Sequence, residues 1–198
     1  MSISKRNILL LMLGIGKDET DIDIANGING ITRLQKFLFL LENEDYIKKI
    51  DEGYQFEAYK AGPYSPTLYD DLEFLENIGL IKSETSGLAT EEEAADMDFT
   101  FEELMDDVEE LKDSFEDIKT ADVYDEKRFR ITEDGAVKVK ALLKKEEFAP
   151  VVDGIRKIKS KFGHYSLDDL LYYVYTKYPD MTTESEIKEQ VLRKGRKR

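Results

Sequence analysis

The sequence predicts a mainly α chain with a small β-hairpin, an α+β fold, on three observations. The stretch from Tyr54 to Ile81 reads as strand, turn and helix, closed by Gly79. Far downstream, Arg128 to Thr132 reads as a second strand that runs into a helix at Glu133-Asp134-Gly135. Apolar residues at helical spacing mark further helices before, between and after these segments. Strand, turn, helix, Gly-Leu-Ile, strand, then Arg-Ile-Thr-Glu-Asp-Gly and a helix is the order of a winged helix-turn-helix. Here it carries an acidic helical insert in the wing and a C-terminal helical extension.

Residues 1–83 hold the N-terminal helices and the helix-turn-helix core. Ser4 to Leu13 is a first helix that buries Ile8, Leu9, Leu11 and Met12. Its apolar run lies behind Lys5 and Arg6 but lacks a small-residue cleavage site, so a core helix is expected rather than a signal peptide. Gly14 to Asn29 is a polar loop. Gly14-Ile15-Gly16-Lys17 is no phosphate loop, because the motif's first glycine would have to be Leu11 and no Ser or Thr follows the lysine. Asp21 and Asp23 have the spacing of calcium-loop acids, yet Ala25 stands third and no closing Glu falls in place. A solvated loop is expected. Thr32 to Asn43 is the second helix, with Leu34, Phe37, Leu38 and Leu41 on one face and Phe39 and Leu40 widening it. A helix apolar nearly all round sits centrally or lends its spare face to a partner.

From Tyr54 to Lys60 the chain is aromatic-rich and alternates, which suits a half-buried strand. Gly62-Pro63 is expected to force a turn. Ser65 then offers a cap hydroxyl, and Pro66 a ring suited to the first helical position. Leu68, Leu72, Leu75 and Ile78 recur at helical spacing, and Gly79 closes the helix in a left-handed conformation. The outward positions of this helix include Thr67, Asp70, Asp71, Glu73 and Glu76, and no Lys or Arg occurs from Tyr64 to Ile81. In a DNA-reading winged helix this element enters the major groove, among phosphates. Four carboxylates are the wrong sign for that task, and they suit a winged helix that binds protein.

Residues 84–126 form the acidic insert. It holds eighteen acids against Lys112 and Lys119, a net −16, whereas residues 1–83 carry −5 and residues 127–198 carry +7. The low isoelectric point of the whole chain, at net −14, therefore belongs almost wholly to one segment. Within it Phe101, Leu104, Val108, Leu111, Phe115 and Ile118 make a seam of heptad type, with Thr100 and Glu103 in a capping-box pattern. Like-charge pairs such as Glu102/Asp106 and Asp113/Asp117 each cost about 0.2–0.5 kcal/mol. Burying each apolar side chain returns about 1.5–3 kcal/mol. Burial decides: the helix forms when docked, either on its own domain or as the seam of a homodimer or of another partner.

Residues 127–192 hold the second wing strand and the C-terminal helices. The helix after Thr132 is expected to run to about Glu147, with Val137, Val139, Leu142 and Leu143 apolar and Lys138, Lys140, Lys144 and Lys145 outside. Pro150 interrupts, and Val151 to Phe162 restarts with Arg156, Lys157, Lys159 and Lys161 on a solvated face. Ser166 caps the next helix, Leu167 to Tyr178, whose tyrosines suit packing better than base stacking. A short last helix from Thr182 or Thr183 to Leu192 precedes a basic tail, residues 193–198, expected to be disordered. Arg156, Lys157, Lys159 and Lys161, with Arg193, Lys194, Arg196, Lys197 and Arg198, are the positions that would touch nucleic acid, if any do.

No run of apolar residues reaches membrane-spanning length. Zero cysteines remove disulfides, thiolate zinc sites and cysteine nucleophiles together, and fit a reducing cytoplasm. The single histidine, His164, sits in a Gly163-His164-Tyr165 connection and is expected to pack or cap rather than catalyse. No nucleophile elbow, paired-histidine zinc motif or complete phosphate loop occurs. The expectation is a protein that is not an enzyme and needs no cofactor or metal.

Leu34-Gln35-Lys36-Phe37-Leu38-Phe39-Leu40, followed by Phe56-Glu57-Ala58-Tyr59-Lys60-Ala61-Gly62-Pro63-Tyr64-Ser65, resembles the Panacea antitoxin domain typified by SocA. It is more similar still to the YwgA-type proteins of bacteria and archaea. Tyr59 stands where the family usually has Trp, and Tyr64 where it usually has Val. The resemblance covers roughly the first 80 residues. It implies a winged helix acting by protein binding, as an antitoxin or a proteolytic adaptor does. The expected recognition surface is Tyr59, Lys60, Gly62, Pro63 and Tyr64, with Arg33 and Lys36 beside it; the alternative is that Gly62-Pro63 merely sets the turn and the tyrosines pack. A second function is a nucleic-acid-binding regulator that uses the basic C-terminal face, with the acidic insert competing for that face as an internal polyanion.

Overall fold

A computed structural model describes residues 3–16, 22–44, 53–85 and 127–195. The heptad-type seam, the Thr100/Glu103 capping box, Asp21 and Arg196 to Arg198 lie outside the described residues. Among those described, the chain is mainly helical with little sheet. Its elements run α1 (Lys5–Gly14), β1 (Ile28–Asn29), α2 (Ile31–Asn43), β2 (Glu57–Tyr59), β3 (Gly62–Tyr64), α3 (Thr67–Asn77), β4 (Ile81–Thr85), β5 (Lys127–Ile131), α4 (Glu133–Leu143), α5 (Ala149–Phe162), α6 (Leu167–Lys177) and α7 (Lys188–Gly195). A short 3-10 turn at Glu146–Phe148 lies between α4 and α5, and another at Pro179–Thr182 between α6 and α7.

The described residues form two antiparallel sheets. β5 is central in the first, in the order β1-β5-β4, with Ile81 opposite Ile131 and Thr85 opposite Lys127. Thr85 and Lys127 therefore stand side by side at one end of the β4–β5 ladder. The second sheet is the β2–β3 hairpin, which pairs Glu57 with Tyr64 and Tyr59 with Gly62. The expected Tyr54–Lys60 strand shortens to three residues, because Gln55 turns to a positive φ of 49° and breaks the extended run. The tight turn falls at Lys60-Ala61, while Gly62-Pro63 belongs to the returning strand. Gly62 is needed there twice over: its φ is +85°, and a Cβ would lie 2.9 Å from the Tyr175 ring.

The core explains why α1 and α2 are so apolar. Ile8 to Leu13 are at most 1 % exposed, and Phe37 to Leu41 at most 3 %. α1 packs against α3, β5, α4 and α5, and α2 against β3, α5 and α6. Neither helix has an apolar face left for a partner. A single cluster of buried side chains runs from Ile8 to Val191, so the C-terminal helices complete the core that α1 and α2 begin.

Helix ends follow their sequence signals closely, with one exception. Leu80 N–H donates to Leu75 O and Gly79 N–H to Glu76 O, the paired bonds of a Schellman cap, with Gly79 at φ +73°. The Thr132 hydroxyl accepts from Gly135 N–H, and Ser166 caps α6 through Asp169 N–H. Ser65 is the exception. Its hydroxyl donates to Tyr54 O, and α3 begins behind Pro66 with no side-chain cap.

Four further expectations are corrected. Ile78 is 51 % exposed, because it follows the last helical residue and the chain turns away at Gly79. Val137 is 66 % exposed, because Gly135, Ala136, Val139 and Leu142 take the buried face of α4. Pro150 opens α5 from its first turn, where a missing N–H matters least, and α4 has already ended at Leu143. Arg193 to Gly195, expected in a disordered tail, are the last residues of α7, which packs on α6.

Gly135 gives a prediction against propensity. Alanine in a helix normally gains about 1 kcal/mol over glycine. Here a Cβ would stand 2.1 Å from the Leu80 carbonyl oxygen, a backbone atom that cannot step aside. Gly135→Ala should therefore lower stability, by about 2 kcal/mol or more, in urea denaturation.

Candidate functional site

The stretch from Tyr54 to Ser65 is held from below by α2. Gln35, 2 % exposed, grips one residue with both ends of its amide: Nε2 donates to Ser65 O at 3.1 Å, and Oε1 accepts from Ser65 N–H at 3.1 Å. Lys36, also 2 % exposed, donates from Nζ to Pro63 O at 3.1 Å. Arg33 reaches the other way, to Tyr165 O at 2.7 Å. The Leu34-Gln35-Lys36 motif thus holds the Gly62-Pro63-Tyr64-Ser65 backbone in place.

This placement divides the seven residues expected to form a recognition surface. Lys36, Gly62 and Pro63 are buried and support the hairpin from inside. Arg33 is half-buried, with its guanidinium on the Tyr165 carbonyl. Tyr59, Lys60 and Tyr64 remain at the surface. Tyr59 is 39 % exposed and stacks on Tyr64 with ring centres 4.7 Å apart, and Tyr69 of α3 extends the row at 6.0 Å. Lys60 faces Glu186 at 3.7 Å, and its carbonyl accepts from Glu186 N–H and the Ser185 hydroxyl. The tyrosines therefore pack and show at once.

Beside the hairpin, the outward side of α3 carries Asp70, Glu73 and Glu76, all exposed. The expected fourth carboxylate is not among them. Asp71 is 1 % exposed and accepts from Arg6 Nε at 2.7 Å, with Lys5 Nζ at 3.8 Å. It sits at the edge of the apolar arc formed by Leu68, Leu72 and Leu75, and two cations of α1 draw it inward. Arg6 also lies 3.9 Å from the Phe74 ring centre, so Phe74 is clamped while 39 % exposed.

Two polar clusters had no sequence signal beyond their composition. In the first, Glu42 accepts from Tyr54 N–H at 3.0 Å, with Lys5 close by. Burial pushes its carboxyl up to about 7, against the pull of the Tyr54 amide and Lys5. In the second, Glu44 accepts from Tyr173 Oη at 2.7 Å and from Lys177 Nζ at 2.5 Å. Burial raises the Glu44 carboxyl, but the hydrogen bonds from Lys177 and Tyr173 outweigh it and hold the group below the usual range. Tyr173, Lys177, His164, Tyr165, Asp169, Tyr172 and Thr176 line a shallow open cleft of about 690 Å³. His164 is exposed at its mouth and packs edge-on against Tyr165, at 5.0 Å.

The basic C-terminal face is thinner than its sequence suggests. Lys159 is 8 % exposed and its ammonium donates to Ile15 O, because it lies four residues after Ile155 and three before Phe162, inside the buried arc of α5. Lys161 donates to the Tyr173 hydroxyl at 3.0 Å, and Lys194 lies 3.8 Å from Asp168. Arg156 is half-buried beside Asp153, while Lys157 and Arg193 are exposed.

Among the described residues no cluster of three His, Cys, Asp or Glu is placed to hold a metal ion, and no helix is long and apolar enough to cross a membrane. Compared with protein-family models, curated proteins and solved structures, the chain matches none.

Proposed function

We propose that this chain is a cytoplasmic, non-enzymatic winged-helix protein of the Panacea or YwgA kind, acting as a regulator by binding another protein. The order α1, β1, α2, α3, β4, β5, with β1 against β5 and β5 against β4, supports the winged-helix reading. In that reading β2–β3 is a hairpin added before the third helix, and β4 and β5 are the two strands of the wing. One observation carries the choice of protein over nucleic acid. The outward face of α3 bears three carboxylates, and no Lys or Arg occurs between Tyr64 and Ile81. A phosphate backbone would be repelled from it. The Tyr59–Tyr64–Tyr69 row, with Lys60 at its end, is the recognition surface on the hairpin side; stacked aromatics give large contact area at little entropic cost.

A gel shift at low salt tests this choice. The full chain is compared with one in which residues 86–126 are replaced by a short Gly-Ser turn, a change the Thr85–Lys127 pairing permits. Neither protein should retard duplex DNA. Tight binding by the shortened chain, weakening steeply with salt, would instead favour a nucleic-acid regulator whose insert competes for the basic face.

A further inference from the structure

The outward side of α3 joins apolar surface to a single sign of charge. At about 100° per residue, Leu68, Asp71, Leu72 and Leu75 fill the arc facing the core. Asp70, Glu73 and Asn77 point the opposite way, and Phe74 and Ile78 form an i,i+4 pair along one flank. Phe74 is 39 % and Ile78 51 % exposed. Isolated apolar side chains at a surface are ordinary, but a helical pair beside a charged strip matches how one helix reads another. Arg6 stacks on Phe74 while bonded to Asp71, which fixes the ring before anything binds.

Charge decides what can cover this flank. Asp70 and Glu73 form no ion pair among the described residues, and Glu76 accepts only uncharged donors, Ser83 N–H and Oγ. Lys5 and Arg6 of α1 are both engaged by the buried Asp71, and Lys82, next to Ser83, lies 3.1 Å from Glu84. We propose that the Asp70–Ile78 face of α3 is a docking site for a basic amphipathic segment of a partner protein. Its aliphatic or aromatic side chains would lie on Phe74 and Ile78, and its Lys or Arg would lie opposite Asp70 and Glu73. The inference rests on the protein-binding reading above and gives it a partner chemistry. Duplex nucleic acid brings the wrong charge, and an acidic segment would be repelled.

The test uses the full chain and two synthetic peptides of one amphipathic pattern, Leu/Lys and Leu/Glu, with binding read by fluorescence anisotropy. The chain should bind the Leu/Lys peptide, more weakly as salt rises, and not the Leu/Glu peptide. Asp70→Lys with Glu73→Lys should weaken Leu/Lys binding about tenfold and create binding to Leu/Glu. Phe74→Ser with Ile78→Ser should weaken it by about the same factor. Both variants keep the acidic insert, so Leu/Lys binding that survives them unchanged would place the peptide on the insert and overturn the proposal. Absence of Leu/Lys binding at low salt would also overturn it, while leaving the choice between protein and nucleic acid to the gel shift. Self-association by sedimentation that Phe74→Ser with Ile78→Ser abolishes would assign the face to a second copy of the chain and equally overturn it.

Discussion

Gln35→Ala should destabilise the protein by about 2–4 kcal/mol, measured by urea denaturation, although it removes no charge. The amide makes two buried hydrogen bonds to the backbone of one residue, Ser65, which is itself fully buried. Without it, Ser65 N–H loses its Oε1 acceptor in a site closed to water. Ser65 O keeps Leu68 N–H, so the loss is not doubled. A buried donor left unsatisfied costs about 1–3 kcal/mol, and the side-chain cavity adds to it. Gln35→Leu separates these terms. It refills the volume but supplies no acceptor, so it should recover the cavity part alone. Hydrogen exchange should show the damage concentrated in the β2–β3 hairpin, because Gln35 and Lys36 hold the strand on which Tyr64 sits. A loss spread evenly over the core would mean that the amide does not act through Ser65.

Gln35 also shows where sequence reading reaches and where it stops. Local signals were legible: Gly79 as a left-handed cap, Thr132 and Ser166 as hydroxyl caps, and the apolar runs of α1 and α2 as core. Each depends on residues within a turn or two of one another. The roles of Asp71, Gln35, Lys36 and Lys159 depend on partners 65, 30, 27 and 144 residues away. Asp71 has the helical phase of a border residue, and only the arrival of Arg6 makes it a buried one. Lys159 looks solvated in composition, yet its position among Ile155, Ile158 and Phe162 commits it to the core, where the Ile15 carbonyl receives its ammonium. β1 is two residues long, below the length at which alternation can be read, and yet it sets the edge of the three-stranded sheet. The candidate recognition surface was half legible for the same reason. The aromatic row lies in one short stretch apart from Tyr69, whereas the supports beneath it come from another helix.

Long-range burial also makes stability depend on pH near neutrality, and this prediction has a definite sign. The Glu42 carboxyl rises from 4.5 to about 7, chiefly because burial penalises its charge; the Tyr54 amide and Lys5 pull the other way. The groups acting on it are the Tyr54 amide and Lys5 of α1, and the Tyr54 side chain beside it also feels Asp71 of α3 and Arg6 of α1. Between pH 4.5 and 7 the folded chain holds this proton more tightly than the unfolded chain does. Stability from Glu42 is therefore greatest below the unfolded value, falls as pH rises through this window, and levels off above 7. The loss amounts to about 3 kcal/mol. Glu44, held below its usual value by Lys177 and Tyr173, acts in the opposite sense, since its contribution is present above 4.5 and fades in stronger acid. Glu42→Gln keeps an oxygen for the Tyr54 amide and removes the charge. It should flatten the decline between pH 5 and 8 and raise the melting temperature at pH 8 by roughly 5–10 °C, with little change at pH 5. A variant that melts with the parent's pH profile would show that another group carries the proton.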